Sequence, residues 1–547
     1  MSENDALARY RSEHYTLRVP DRFNIAQDVC TKWADGSQRL ALIEESAAGQ
    51  VRRFSFDQLE VWSNQLANAL TQVGLQPLDR VAVLLPQCVE TAIVHLAAYK
   101  SGATAVPLFS LFGPESLDYR LQDCGARFLV TDAAGLAKMK ELRAHLPALE
   151  LILCIENVAA EAGTSSMWAA MEAQHTDYRA AAVEAEHPAL LIYTSGTTGK
   201  PKGVLHAHRV LLGHLPGVEL SHNGLPHAND LFWTPADWAW IGGLLDVLLP
   251  AWHHGIPVLA HRFRKFDAAA AFGLMARHRV RNVFMPPTAL KQLREGLAAS
   301  ASPKLALRSI ASGGETLGEE LVAWSRETFG IEINEFYGQT ECNMVVSSCA
   351  ALFPRAAGAI GKPVPGHVLA VVDASGTPLP TGTTGQIAIA KPDAVMFLRY
   401  WNQPEATAAK FAAGFLLTGD TGFQDPQGYI HFVGRADDLI TSGGYRIGPG
   451  PIEDCLLKHP CVAFAAAIGV PDAARTEKVT AFVVLRPGFQ PSDTLAAELQ
   501  DLVRQRLSAH EYPRTVHFVD TLPMTATGKI IRKALRQQGL AAAHRVG

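Results

Sequence analysis

Long hydrophobic runs are missing from this sequence. Nowhere do eighteen apolar residues follow one another, and residues 1–24 are polar and charged with no apolar stretch. A membrane-spanning helix and a secretory leader are therefore not expected, and the cytoplasm is the expected compartment. Cysteine is sparse as well. Cys30, Cys88, Cys124, Cys154, Cys342, Cys349, Cys455 and Cys461 are scattered, with no C-x-x-C pair and no histidine at metal-ligand spacing. That excludes a disulfide framework and a zinc ribbon and leaves reduced thiols. Nor is there charge of one sign: 49 Lys and Arg stand against 53 Asp and Glu, and the weak split runs from −7 before Arg435 to +3 from it onward. Without a basic stripe, nucleic acid is not an expected partner. There is no fixed-period repeat and no low-complexity tract.

What is present is a chain of 547 residues, 48% hydrophobic and 19% charged. Such a chain buries a core with ease and is not disordered. At about 150 residues each, three or four compact modules are expected. From Arg80 onward short apolar runs alternate with helical stretches: residues 81–85, then a helix over 89–100, then 105–109, with further strands at 128–131, 151–155 and 283–284. Strands of this kind, bounded by Gly, Pro or Asp, predict buried and largely parallel sheets covered by helices. A glycine-rich stretch follows at residues 419–450. Beyond it the pattern predicts a helix over 452–458, strands over 462–470 and 479–485, and a helix over 495–509. A boundary is expected at residues 435–438, which leaves a C-terminal piece of about 110 residues, large enough to be a domain.

The most informative segment lies between a strand at 190–193 and another at 204–206. It reads Thr194-Ser195-Gly196-Thr197-Thr198-Gly199-Lys200-Pro201-Lys202-Gly203. Four hydroxyls, three glycines and two lysines offer backbone N–H groups, O–H donors and positive charge to a phosphate chain. It is not a Walker A loop, because only two residues separate Gly196 from Gly199 and Pro201 follows the lysine. Tyr337-Gly338-Gln339-Thr340-Glu341 places a hydroxyl beside a carboxylate, which suits a phosphate donor next to a Mg²⁺ ligand. Gly419-Asp420 sets a carboxylate in a turn, and Gly528-Lys529 sets a lysine near the end of the chain.

In this order these segments, with Gly434-Arg435-Ala436-Asp437-Asp438 and residues 523–529, resemble the adenylate-forming superfamily: acyl-CoA synthetases, luciferases and the adenylation domains of peptide synthetases. The resemblance runs from about Arg22 to Arg536. It implies an α/β fold: a large N-terminal domain of parallel and mixed sheets with a small barrel-like β subdomain (residues 1–434), a hinge (435–438) and a small mobile α+β C-terminal domain (439–547). The implied activity is ATP-dependent acyl-CoA ligation in two half-reactions. A carboxylate attacks the α-phosphate of ATP, giving an acyl adenylate and pyrophosphate; the thiol of CoA then displaces AMP. ATP, Mg²⁺ and CoA are the implied cofactors, and a small carboxylic acid is the substrate.

By matched position, Thr194, Ser195, Gly196, Thr197, Thr198, Gly199, Lys200 and Lys202 would hold the β- and γ-phosphates. Thr340 would contact the α-phosphate and Glu341 would ligate Mg²⁺. Asp420, helped by Arg435, would bind the ribose, while Tyr337, Gly338, Gln339 and the stretch Gly313, Gly314, Glu315 and Thr316 would line the nucleotide. Lys529 would bridge the substrate carboxylate and the α-phosphate. Asp437 stands at the hinge position, and Gly443 and Gly444 belong to the loop that would line the CoA tunnel. Arg446 matches a residue near the ATP phosphates. Arg504 is a candidate for the phosphorylated end of CoA, with plain surface charge as the equal alternative.

For the acyl pocket, residues 235–243 resemble the substrate helix start of short- and medium-chain acyl-CoA synthetases. Trp240 would be the pocket wall or plain core, with Ile241 beside it. Acetyl-CoA synthetases carry a tryptophan plug where this chain has Gly338, so an acyl group larger than acetate is expected. Cys342-Asn343-Met344 replaces the Thr-Gly of many relatives, so pocket details do not carry over. The alternatives are a benzoate- or cinnamate-type ligase and, from another class, a non-catalytic nucleotide-binding protein. A homodimer and a lysine acetyltransferase acting on Lys529 complete the expected partners.

Overall fold

The structure is a computed structural model that describes residues 7–11, 15–159, 162–194, 200–263, 265–297, 304–315, 317–435, 438–442, 445–472, 476–507, 511–525 and 529–546. Ser195, Gly196, Thr197, Thr198, Gly199, Thr316, Asp437, Gly443 and Gly444 lie outside these residues, as does the side chain of Arg446.

The expected alternation becomes two large sheets. In one, Thr104–Pro107, Arg80–Leu84, Phe128–Thr131, Leu151–Cys154 and Thr164–Ser166 pair in parallel. At its other side Pro188–Tyr193 and Gly203–Ala207 form an antiparallel pair joined by the hydroxyl-rich loop. The helix Val89–Lys100 shows why these strands are apolar throughout. All twelve of its residues are buried, so it has no solvent face and separates the sheet from further helices. Lys100 is kept inside by Glu60 at 2.8 Å and by Asn64 at 2.6 Å.

The second sheet has nine strands. Asn282–Phe284, Ser309–Gly313 and Ile333–Gln339 run parallel, and Cys342–Ser347 turns back against the last of them. Gln339 pairs with Cys342, so Thr340 and Glu341 form the tip of a tight hairpin. The small β subdomain is a five-stranded antiparallel sheet that includes Gly385–Ala390, Phe415–Gln424 and Ile430–Arg435. A fourth sheet begins at Ile440–Ser442 and holds the long pair Val462–Asp472 and Thr476–Leu485. Its core, with Ile440, Ile452, Leu456, Val462, Val483 and Leu499, is made of residues from this stretch alone. All eight cysteines are free and buried. Among the described residues no helix is long and apolar enough to cross a membrane.

Two carboxyls with raised pKa values lie where the last sheet meets the larger body. Asp454, on the helix Pro449–Leu457, comes close to Gly318, and burial raises its pKa to about 6. Burial raises Glu335 to about 7, and the charge of Asp454 adds to the rise. A carboxyl raised on folding contributes stability that is complete below its unfolded value near 4.5 and is lost as pH climbs towards 7. Glu335→Gln should flatten that loss, read as thermal unfolding midpoints at about pH 5 and about pH 7.5. Equal pH slopes in mutant and wild type would remove Glu335 from this role.

Candidate active site

The hairpin tip at Thr340 and Glu341 meets three other elements. The Tyr400 hydroxyl donates to Oε1 of Glu341 at 2.5 Å, and the amide of Phe397 donates to the Glu341 carbonyl at 2.9 Å. Burial and the neighbouring carboxylate push the Tyr400 phenol well above its usual range, so it stays a donor. Among the described residues nothing hydrogen-bonds Oε2 of Glu341. A single carboxylate oxygen held ready suits a cation that takes one protein carboxylate and completes its shell with phosphates and water, as Mg²⁺ does. Among the described residues no group of three or more His, Cys, Asp or Glu could hold a metal ion. Lys202 stands over the Tyr400 ring at 4.9 Å. The ends of the hydroxyl-rich loop are tied by the Thr194 amide donating to the Lys202 carbonyl at 3.0 Å. Lys200 lies over Tyr119 at 5.3 Å.

A second carboxylate is fixed a few residues away. Oδ2 of Asp420 accepts from the Tyr337 hydroxyl at 2.6 Å and from Nε2 of Gln339 at 2.5 Å. The backbone amide of Asp420 donates to the Thr418 hydroxyl at 3.0 Å. The expected turn is instead the interior of the strand Phe415–Gln424, where the pairing with Gly385–Ala390 shifts register and Gly419 takes φ +80°; a side chain there is strained. Antiparallel register sets Arg435 opposite Asp420. A carboxylate paired across strands with a guanidinium is a fit for vicinal hydroxyls.

Gly314, at φ +91°, has open space where a Cβ would stand, as a surface for a flat ring requires. Beside it Glu315 is held by the Thr288 hydroxyl at 2.7 Å on Oε2, while Oε1 is buried with no partner. Burial raises the Glu315 pKa, and the charges of Lys291 and Lys529 oppose the rise. The charge of Lys529 is thus felt at Glu315. The Lys529 amide donates to the Thr525 hydroxyl at 3.1 Å, and the Thr525 amide donates to the Lys529 carbonyl at 2.7 Å.

Trp240 is partly exposed and packs tilted against Phe109 at 5.6 Å and edge-on to Phe112 at 5.9 Å. Ile241 starts the short helix behind it. Gly338 requires a correction. A Cβ there would come within 2.4 Å of the Met344 amide and 2.6 Å of Asn343 atoms, so the room expected from a missing plug is filled by the neighbouring strand. Arg504 pairs with Asp501 at 2.6 Å and lies over the Tyr512 ring, half exposed. Tyr400, Thr288 and Glu335 escaped the sequence reading. Tyr400 is 59 residues from its partner Glu341, and no local spacing signals it.

Two carboxylates, a tethered loop of hydroxyls and lysines, and a lysine delivered from a separate sheet define a nucleotide-dependent enzyme of the adenylate-forming class. The chain belongs to the AMP-binding enzyme family: that family matches residues 31–401, and its C-terminal domain matches residues 451–529. It is 35% identical over 534 residues to the mitochondrial acyl-coenzyme A synthetase ACSM2 of Rattus norvegicus, covering 95% of this chain and 92% of that one. A crystal structure of Brucella canis acyl-CoA synthetase is similar at 33% identity and TM-score 0.74, covering 98% of this chain and 97% of that one. The anthranilate CoA ligase AuaEII, in complex with anthranoyl-AMP, is similar at 30% identity and TM-score 0.86, covering 96% and 99%.

Proposed function

We propose that this chain, an ATP-dependent, AMP-forming acyl-CoA ligase, activates a short- to medium-chain carboxylic acid. The reading rests above all on the convergence of the Glu341 hairpin tip, the Asp420–Arg435 strand pair and Lys529. The substrate carboxylate oxygen attacks the α-phosphorus of ATP, the bond to the bridging oxygen breaks, and pyrophosphate leaves. Mg²⁺ would be held by Glu341 and would neutralise phosphate charge. Thr340 at the hairpin tip contacts the α-phosphate, and the Thr194 to Lys202 loop holds the outer phosphates. Asp420 and Arg435 take the ribose hydroxyls, and the Gly313 to Glu315 stretch takes the adenine. Lys529 steadies charge that grows between the two reacting groups. The CoA sulfur then attacks the acyl carbon and AMP leaves.

The charge of Lys529 felt at Glu315 suits the first half-reaction. The second requires the piece beyond residues 435–438 to turn, so that Gly443 and Gly444 line the thiol path, while Arg446 belongs near the ATP phosphates. Arg504 has weaker support, because Asp501 already occupies it. Trp240 supports a bounded pocket, while size selectivity loses the support of Gly338. Lys529 is exposed and so accessible to an acetyltransferase; a homodimer and a cytoplasmic location are part of the same reading.

Pyrophosphate release, with and without CoA, across acids from acetate to octanoate plus benzoate tests this. A short- to medium-chain acid should be the best substrate. Benzoate as the best would refute that assignment and favour the aromatic-acid alternative.

A further inference from the structure

Beneath Gly338 lies a buried polar group that the ligation chemistry leaves unused. Asp246 sits in the π-helical turn Leu244–Leu248 and Asn343 on the strand Cys342–Ser347, with exposures of 2% and 4%. Nδ2 of Asn343 donates to Oδ1 of Asp246 at 2.6 Å. Nε2 of His214 stands 4.0 Å from the same oxygen. The other nitrogen, Nδ1, is 2.7 Å from the Val210 carbonyl, which can only accept, so Nδ1 carries the proton of the neutral ring. Nε2 is then a lone-pair acceptor, and it is buried with no partner.

Acceptors therefore outnumber donors. Among the described residues neither Oδ2 of Asp246 nor Oδ1 of Asn343 receives a hydrogen bond, and His214 Nε2 adds a third open acceptor. A proton on the carboxyl, which burial favours, could satisfy only one of the others. Leaving the buried His214 Nε2 unmatched is costly, and the two oxygens are open to whatever reaches them. A donor arriving from outside would match them.

The open oxygens lie on the acyl side. A Cβ on Gly242 would come within 3.6 Å of Asp246 Oδ2, and one on Gly338 within 2.6 Å of Asn343 Oδ1. Both glycines are partly exposed, and neither carries a side chain to cover these oxygens. Phe284 packs against Gly242 and lies tilted against Phe336, giving the rest of the pocket apolar walls.

We propose that Asp246 and Asn343 form a polar end of the acyl pocket, and that the preferred acid carries a hydrogen-bond donor, an amine or hydroxyl, away from its carboxylate. This rests on the acyl-CoA ligase reading. A site built to hydrogen-bond a substrate group discriminates strongly against the analogue that lacks it.

The test uses matched acids: hexanoate with its terminal hydroxy and amino derivatives, and benzoate with the hydroxy- and aminobenzoates, each assayed by pyrophosphate release in the presence of CoA. At least one substituted acid should exceed its parent in kcat/KM by roughly tenfold or more. Asp246→Leu should lower that ratio by roughly tenfold, and the nearly isosteric Asp246→Asn should lower it more for an amine than for a hydroxyl. Should Asp246→Leu fail to fold, as thermal unfolding would reveal, the Asp246→Asn ratio decides. Every parent acid outperforming its derivatives, or ratios unmoved in the folded variants, overturns the proposal and leaves the ligase reading intact. Absence of pyrophosphate with any acid strikes the ligase reading itself.

Discussion

Lys529→Ala should slow acid-dependent pyrophosphate release by roughly a hundredfold to a thousandfold, the usual cost of removing one preorganised donor from a transition state. Acyl transfer to CoA from a supplied acyl adenylate should persist. Lys529 is tied through its backbone to Thr525, and its charge is felt at the Glu315 carboxyl. Where phosphoryl chemistry depends on positioning and charge neutralisation, a single mobile cation acts on one step and is dispensable in the next. The two half-reactions are measured apart: pyrophosphate appearance for the first, thioester formation from synthetic adenylate for the second. Loss of both would mean that Lys529 holds the domain rather than the transition state.

The alternation of strands and helices was legible because each apolar run has a physical boundary in the chain. The helix Val89–Lys100 and the strand Phe128–Thr131 coincide with the expected ranges. Spacing also marks Thr340 and Glu341 as neighbours, but only register shows them at the tip of a hairpin. Long-range partners left no trace in the sequence. Tyr400 reaches Glu341, and Asn343 reaches Asp246, across separations of 59 and 97 residues, and no local period encodes such pairs. Gly338 misled for a related reason. A glycine signals missing side-chain volume, yet what occupies that volume depends on the neighbouring strand, and here Asn343 and Met344 fill it. The same close approach brings the Asn343 amide oxygen up to the acyl side.

Asp420→Ala should lower kcat/KM for ATP by roughly a hundredfold, and the loss should fall mainly on KM. Hydrogen bonds to a charged group are worth about 1.5–3 kcal/mol, and two ribose hydroxyls sharing one carboxylate make about 3 kcal/mol a fair expectation. Ground-state binding is what such contacts supply, since the ribose does not change during the reaction. The variant also strips the Tyr337 hydroxyl and the Gln339 amide of their shared acceptor, Oδ2 of Asp420. Buried donors left unmatched cost about 1–3 kcal/mol each, so some stability is lost as well. Asp420→Asn separates the two effects. It keeps an oxygen for Tyr337 and Gln339, so thermal stability should recover towards wild type, while ATP binding, which needs the charge, should recover less. If Asp420→Asn restores both in full, the carboxylate is a brace for the strand Ile333–Gln339 and the ribose is held elsewhere. If it restores stability alone, Asp420 is a nucleotide ligand that the hairpin has been built to hold still.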